Sequence, residues 1–312
     1  MRIIHGVRQL PSAIAGSCLT IGNFDGVHLG HQALLANVVA RARHTKQPAI
    51  VMTFDPHPVK VLHPDRGMNR IFDFDDQRER FETLGLDILV VEPFSREFSQ
   101  VPADRFIKDW VFKPFNPSSV VVGYDFSFGA NRDGSIDFMK AQATELGFDL
   151  EVVPPVKVDG VLVSSTRIRK AVEAGEVKLA SALLGRHFYL RGLVEKGAGR
   201  GRTIGIPTAN LRTTAETLPM RGVYAAYATV RGVRHKSVVN IGLNPTFNEN
   251  ANQALSVEAH LIDFKLADIY GEEVRLDFKD RLRDESKFPN VEALVKQIKQ
   301  DIEIGKAMLD GE

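Results

Sequence analysis

Residues Gly22-Asn23-Phe24-Asp25-Gly26-Val27-His28-Leu29-Gly30-His31 combine a glycine-punctuated turn with two imidazoles three residues apart. The turn follows an apolar run, Ser17-Cys18-Leu19-Thr20-Ile21, that reads as a buried strand. It precedes Leu34, Leu35, Val38, Val39 and Ala42, which recur at helical spacing. The first N–H groups of a helix are unpaired and stand at the positive end of its dipole, so this junction suits an anionic phosphate. Imidazoles placed there can donate to phosphoryl oxygens as charge grows in a transition state. Spacing alone equally allows a histidine pair on the surface or satisfied in the core. Zinc fits less well, since no third ligand stands nearby at a familiar spacing and Cys18 is the only cysteine.

Three further segments carry groups that phosphate or ring chemistry could use. Thr53-Phe54-Asp55-Pro56-His57-Pro58 ends a strand in a stiff turn, because each proline fixes its own φ and restrains its predecessor. Val122-Gly123-Tyr124-Asp125-Phe126-Ser127-Phe128-Gly129 places aromatics and a carboxylate after another strand. At least one of Phe126 and Phe128 is expected in the core, and the other is free to stack on a flat ring. Ser164-Ser165-Thr166-Arg167-Ile168-Arg169 offers hydroxyls, helix N–H groups and arginines together, either a plain capped helix or a polyphosphate clamp.

The elements that must position these residues are visible in the hydropathy pattern. Apolar strands at Ala49–Phe54, Ile88–Val91, Val120–Val122 and Leu150–Val153 alternate with helical runs at Gln77–Leu84, Pro102–Trp110 and Phe138–Leu146. That alternation predicts a parallel sheet covered on both faces, with ligands at the carboxyl ends of its strands. From about Arg186 strand-like runs follow one another directly: Gly222–Val230, Val233–Ile241, Val257–Ile262 and Val274–Phe278. They predict an antiparallel barrel or sheet, closed by a helix with Val291, Leu294, Val295, Ile298, Ile302 and Met308 along one face. The expected boundary lies near Leu184-Gly185-Arg186, giving domains 1–185 and 186–312.

Composition narrows the class. With 312 residues, 40 Lys+Arg against 39 Asp+Glu, and a single cysteine, the chain offers no global field for nucleic acid and no intrachain disulfide. No stretch approaches the roughly 20 apolar residues of a membrane span, and no leader-like segment opens the chain, so a cytoplasmic protein is expected.

The second half holds its own cluster. Gly197, Gly199, Gly201 and Gly205 punctuate a run with Lys196, Arg200 and Arg202 that ends in Pro207-Thr208-Ala209-Asn210. Glycines let backbone N–H groups approach an anion. A flexible RNA-binding loop is the alternative, although the interleaved aromatics of a single-strand platform are absent. Gly197–Arg202 is not GxGxxG, and no GxxxxGK[ST] loop occurs. Glu258 sits among apolar Val257 and Ala259, a general-base candidate or a solvated strand carboxylate. Arg281–Phe288 reads as a charged loop before the last helix.

Gly22–His31 resembles the HxGH signature of the nucleotidyltransferase superfamily, in the longer form found in bacterial flavin adenylyltransferases. Ser164-Ser165-Thr166 with Arg169 resembles that superfamily's SSTxxR-type element. The glycine-rich run with Pro207–Asn210, and Glu258 and Arg281–Phe288 after it, resembles the riboflavin kinase domain. Taken whole, the chain resembles the bacterial bifunctional riboflavin kinase/FAD synthetases. The resemblance implies an α/β protein: a Rossmann-like nucleotidyltransferase domain with a parallel sheet, then an antiparallel β-barrel kinase domain ending in an α-helix.

It also implies roles. In adenylyl transfer from ATP to FMN, His28 and His31 would stabilise the α-phosphoryl transition state. Ser164, Ser165 and Arg169 would hold the departing phosphates. Gly22, Asn23, Phe24, Asp25, Gly30 and Thr166 would line the nucleotide, and Phe54, Asp125, Phe126, Phe128 and Arg283 would contact flavin. In phosphorylation of riboflavin, Glu258 would be the base. Thr208 and Asn210 would hold Mg²⁺ at the nucleotide bound by Gly197, Gly199, Gly201 and Gly205. The implied partners are riboflavin, FMN and ATP, with FAD as product, no nucleic acid, no membrane and at most weak self-association. Two positions depart from the pattern: Asn244, where relatives commonly carry arginine, and Asp125, where some carry asparagine. A nucleotidyltransferase with another acceptor would leave Pro207–Asn210 and Glu258 unexplained. A non-enzymatic flavin or RNA regulator would have no use for His28, His31, Arg169 and Glu258 together.

Overall fold

A continuous apolar run such as Ala49–Met52 has no polar face to offer water, so it forms a strand that needs covering on both sides. The computed structural model describes residues 1–10, 12–197, 199–243, 255–264 and 269–310, with the backbone alone for Arg200, Arg202 and Leu243. Asn244 lies outside the described residues. Contacts divide the chain into two units, Met1–Ser165 and Thr166–Glu312.

In the first unit β1 (Arg2–His5), β2 (Ser17–Ile21), β3 (Ala49–Asp55), β4 (Ile88–Pro93), β5 (Pro117–Gly123) and β6 (Asp149–Val153) form one sheet. Its order is β1-β4-β3-β2-β5-β6, and every pairing is parallel. Alternate side chains feed two cores, as the strand period requires. Leu19, Ile50, Met52, Val90, Val120 and Val122 enter one core. It is covered by α4 (Ala103–Arg105), a π-helical stretch (Phe106–Phe112), α5 (Lys113–Phe115) and α6 (Ile136–Leu146). Cys18, Ala49, Val51, Leu89, Val91 and Val121 enter the other, under α1 (Leu29–Thr45) and α3 (Phe74–Thr83). A short α2 (Pro58–Leu62) and a hairpin of β7 (Lys157–Val158) and β8 (Val161–Leu162) complete the unit. The expected helix over Pro102–Trp110 exists, but most of it is π-wound. The edge strand β1 escapes the hydropathy pattern because Ile3-Ile4 is a two-residue run between Arg2 and His5.

The strand order turns back at β2, which has β3 on one side and β5 on the other. Such a switch point leaves a crevice at the carboxyl ends of the strands. The Gly22–His28 segment leaves β2 there.

The second unit opens with α7 (Ser165–Glu173), whose first residue belongs to the first unit, and α8 (Val177–Leu184). Then β9 (Tyr189–Glu195), β10 (Ala209–Arg212), β11 (Gly222–Val230), β12 (Val233–Leu243), β13 (Leu255–Leu261) and β14 (Glu273–Arg283) close a barrel in the order β10-β13-β12-β11-β14-β9. Every pairing in it is antiparallel. A short α9 (Arg200–Thr203) interrupts the glycine-rich run, and α10 (Val291–Leu309) ends the unit. Tyr224, Phe188 and Phe278 are fully buried, and the Phe278 ring contacts both of the others. Val223, Ala225, Tyr227 and Val238, on the opposite face of their strands, pack with Leu282 and with Ile302, Met308 and Leu309 of α10.

Of the expected apolar face of α10, Ile302 and Met308 pack on the barrel, but its first member does not. Val291 is exposed, and the buried positions are Asp301, Gly305 and Leu309. Asp301 accepts from the Arg283 guanidinium at 2.8 and 3.0 Å and from Gln297 Nε2 at 2.9 Å. Removing one member of a buried ion pair leaves the other uncompensated. Asp301→Ala should therefore destabilise the barrel unit by about 3 kcal/mol. Trp110, the single tryptophan, lies in the first unit, so near-ultraviolet tyrosine dichroism during urea unfolding reads this loss. An unchanged midpoint would mean that the pair contributes nothing.

Candidate active sites

The turn after β2 is strained. Phe24 (φ 52°) and Val27 (φ 38°) both lie in the left-handed region, an outlier for a β-branched residue. Such a conformation persists only when its surroundings over-determine it. Here they do, through side-chain donors to three carbonyls of the turn. Asn23 O accepts from Gln77 Nε2 at 2.8 Å and from Thr53 Oγ1 at 3.3 Å. Asp25 O accepts from Ser165 Oγ at 2.9 Å, and Val27 O from Gln32 Nε2 at 2.8 Å. The buried Asp25 carboxylate accepts from the Ile71 N–H at 3.0 Å, fastening the turn to the segment before α3.

His28 is the N-cap of α1: its Nδ1 accepts from the His31 N–H at 3.3 Å. Its ring stacks on the His31 ring with centroids 3.5 Å apart and planes 17° from parallel. A Cβ on Gly30 would press within 3.3 Å of the His28 ring. The glycine of the H-x-G-H spacing is thus what lets the capping imidazole fold down onto its neighbour. Phe24 meets His31 edge-on at 5.3 Å, and Phe81 of α3 backs Phe24 at 5.7 Å. Burial first, and the neighbouring His28 second, push the His31 pKa well below its ordinary 6.5. A neutral imidazole still donates one N–H and needs no counter-ion.

Gly22 is overhung by the Phe24 ring, which a Cβ there would approach within 3.1 Å. α7 begins at Ser165, so Ser164 takes the position preceding the helix, and Thr166 and Arg169 follow along it. Arg169 Nη2 lies 3.4 Å from Thr166 Oγ1.

The ends of β3, β4 and β5 carry a cluster of rings. Half-buried Phe54 contacts Phe94 and Phe98 at 5.9 and 6.0 Å, and Phe98 meets Trp110 at 5.4 Å. Phe126 is half-buried and stacks on Phe128 at 5.2 Å. Phe128 is itself buried against Phe106 and Phe138, which makes it the core member of the pair. Asp125 is exposed. Glu92, buried at the end of β4, is missed by sequence reading. Its carboxylate accepts from Trp110 Nε1 at 2.9 Å and the Val7 N–H at 2.8 Å. Its two partners are distant in sequence, which leaves no local signal.

In the barrel, register places Glu195, Asn210, Glu258 and Asn240 in one row across β9, β10, β13 and β12. Side chains in register share a face. Glu258 is half-buried, and Thr208 Oγ1 approaches its carboxylate at 3.5 Å. A Cβ at Gly197 would strike the Asn210 side chain, and one at Gly201 would strike the Ile206 carbonyl and crowd Thr208. Gly199 and Gly205 have φ of +69° and +76°. Close approach therefore calls for glycine at Gly197 and Gly201, and the left-handed backbone calls for it at Gly199 and Gly205. Among the described residues no group of three or more His, Cys, Asp or Glu could hold a metal ion. Arg283, expected at flavin, has its guanidinium tied to Asp301 and stands 5.7 Å from the Phe288 ring.

Comparison with known proteins agrees in order and extent with these two clusters. The family model for FAD synthetase matches residues 10–167, and that for riboflavin kinase matches residues 184–309. The chain is 35% identical to the bifunctional riboflavin kinase/FMN adenylyltransferase of Haemophilus influenzae over 99% of this chain and 100% of that one. It is 35% identical to the protein of the same description in Escherichia coli K12, covering 96% of each. A crystal structure described as a macrolide-efflux protein from Streptococcus pneumoniae superimposes with a TM-score of 0.87 at 33% identity, covering 98% of this chain and 99% of that one. Among the described residues of this chain no helix is long and apolar enough to cross a membrane.

The depressed His31 pKa has a defined sign. The unfolded chain takes up a proton near pH 6.5, and the folded chain only further down. Stability therefore falls as pH drops from about 6.5 toward the folded pKa and levels off below it. Histidine-selective ¹H–¹⁵N spectra should show the His31 ring neutral at pH 6.5, with half-protonation well below that. A His31 midpoint at or above 6.5 would contradict the burial argument.

Proposed function

We propose how the two sites work from the premise that the chain belongs to the bifunctional riboflavin kinase/FMN adenylyltransferase family. The C-terminal half phosphorylates riboflavin with ATP to give FMN. The N-terminal half transfers AMP from ATP to FMN, giving FAD and pyrophosphate. The boundary between the two activities is placed at Gly185/Arg186, ahead of the first barrel strand.

In the N-terminal half the observation that carries the reading is the stacked His28–His31 pair at the start of α1, at the switch point of the sheet. FMN phosphate attacks the α-phosphorus of ATP. The imidazoles donate to the non-bridging oxygens as charge builds. Gly22, Asn23, Phe24, Asp25 and Gly30 shape the nucleotide side of this turn. Ser164, Thr166 and Arg169 supply hydroxyls, helix N–H groups and a cation for the departing pyrophosphate. The hydroxyl proton of Ser165 is already donated to Asp25 O, so its part is to hold the turn. Phe54 and Phe126 offer ring faces to the isoalloxazine, Phe128 supports Phe126 from below, and Asp125 stands at the rim.

In the barrel half Glu258 removes the ribityl hydroxyl proton, and the loop bearing Gly197, Gly199, Gly201 and Gly205 surrounds the ATP phosphates. The oxygens of Thr208 and Asn210 would hold Mg²⁺. Two neutral oxygen donors beside a carboxylate suit a hard cation that keeps most of its shell for waters and phosphates. When bound, the ion neutralises phosphate charge. Arg283, through Asp301, fixes the segment that closes the flavin side. Localisation in the cytoplasm, with at most weak self-association and no nucleic-acid or membrane partner, completes the proposal.

Two variants separate the sites. Following riboflavin, FMN and FAD by chromatography, His31→Ala should lower FAD formation from FMN at least about a hundredfold while riboflavin is still phosphorylated. Glu258→Gln should abolish FMN formation to a similar degree while supplied FMN is still converted to FAD. Loss of both activities in either folded variant would overturn the assignment of residues to two sites.

A further inference from the structure

We propose that Gln77 of α3 and Gln32 of α1 are positioning residues for adenylyl transfer, acting by holding the carbonyls of the strained turn that aims the histidine pair. This rests on the adenylyl-transfer reading of that turn, and it assigns a role to two side chains that lie outside both sequence signatures.

The turn contains two non-glycine residues in the left-handed region, a conformation that it does not hold by its own preference. Gln77 donates to Asn23 O at 2.8 Å, and Gln32 donates to Val27 O at 2.8 Å. The two bonds therefore grip carbonyls on either side of Phe24 and Gly26. They are linked through α3: Arg80 Nη2, one residue before Phe81, donates to Gln32 Oε1 at 3.2 Å. This fixes which way the Gln32 amide faces and turns its NH₂ toward Val27 O. Phe81 backs Phe24, and Phe24 meets the edge of His31. α3 thus reaches the turn through Gln77, through Arg80 and Gln32, and through Phe81.

There is a chemical reason to commit these carbonyls. A carbonyl oxygen left facing a phosphate would repel it, whereas the positive end of a donated amide N–H offsets part of that oxygen's charge. Each pin therefore fixes the histidines and lowers the negative potential beside them. Serial small displacements matter in such a site, because an error of about 1 Å in placing a reacting group can reduce the rate about a hundredfold.

The test uses Gln77→Glu and Gln32→Glu in the full-length protein. Each substitution keeps the size of the side chain, removes the donor and places a carboxylate against a carbonyl. The kcat for FAD formation from FMN and ATP should fall roughly ten- to a hundredfold, with KM for FMN within about twofold. Riboflavin phosphorylation by the same preparation should stay within twofold. The His31 titration midpoint, read by ¹H–¹⁵N spectra without substrate, should rise toward 6.5 as the turn loosens. Gln77→Asn and Gln77→Ala distinguish loss of the donor from added charge, and both should lie between wild type and Gln77→Glu. A lowered melting temperature with kcat and the His31 midpoint unchanged would overturn the proposal and leave Gln77 and Gln32 as structural residues. If wild-type protein forms no FAD, the adenylyl-transfer reading fails instead. The His31 midpoint of the variants then still decides whether the two glutamines hold the turn.

Discussion

A backbone driven into left-handed positions at Phe24 and Val27 does not stay there unaided, and most of the first unit bears on keeping it there. Donors come from β3 (Thr53), from the first turn of α1 (Gln32), from α3 (Gln77) and from the first residue of α7 (Ser165). Apart from α1, which follows the turn directly, these elements are far apart in sequence and meet because the parallel sheet brings the ends of its strands to one edge. The order of the sheet is thus what assembles the turn. Without β3 and β5 on opposite sides of β2, no crevice would exist for the turn to occupy.

The barrel solves a comparable problem with different means. Its polar row of Glu195, Asn210, Glu258 and Asn240 lies on strands, so register rather than loop strain fixes the spacing. The glycine-rich run then needs only to lie close, and it does so because Gly197 and Gly201 have no Cβ to meet Asn210 and the Ile206 carbonyl. On the far face of β11, α10 secures the sheet through an apolar stripe and one buried ion pair. The pair gives Arg283 a fixed place at the end of β14, where the chain leaves for the last helix. Strands therefore fix the polar row, and the loop that lies against it carries the glycines.

Much of this was legible in the residues. The switch of texture near Arg186 separates alternating strands and helices from strands in series, and the β2–turn–α1 junction is readable from Ser17–Ala42 because its glycines and histidines are adjacent in sequence. What could not be read depends on long-range pairing. The burial of Asp301 reverses the usual expectation for a helix aspartate and follows from Arg283, eighteen positions earlier on another element. Glu92 is ordinary until Trp110 and Val7 converge on it. The donation by Ser165 is a clear case: a serine at a helix start beside arginines reads as a phosphate donor, and only its distance to Asp25 O shows where the proton goes.

The stacking of the histidines limits the chemistry open to them. Two imidazolium rings with centroids 3.5 Å apart would repel by about 5 kcal/mol at an effective dielectric of 20, so the doubly charged pair is excluded near neutral pH. Burial depresses His31 in the same direction. The pair therefore brings at most one positive charge to the α-phosphate in the proposed mechanism, and its contribution is directed hydrogen bonding more than bulk charge. Neutral donors depend on alignment much more steeply than a point charge does, since a hydrogen bond weakens sharply with angle whereas a Coulomb interaction does not. A site that relies on a neutral His31 thus has to be rigid. The strained turn, the cap from His28 to the His31 N–H, and the rings of Phe24 and Phe81 behind them supply that rigidity.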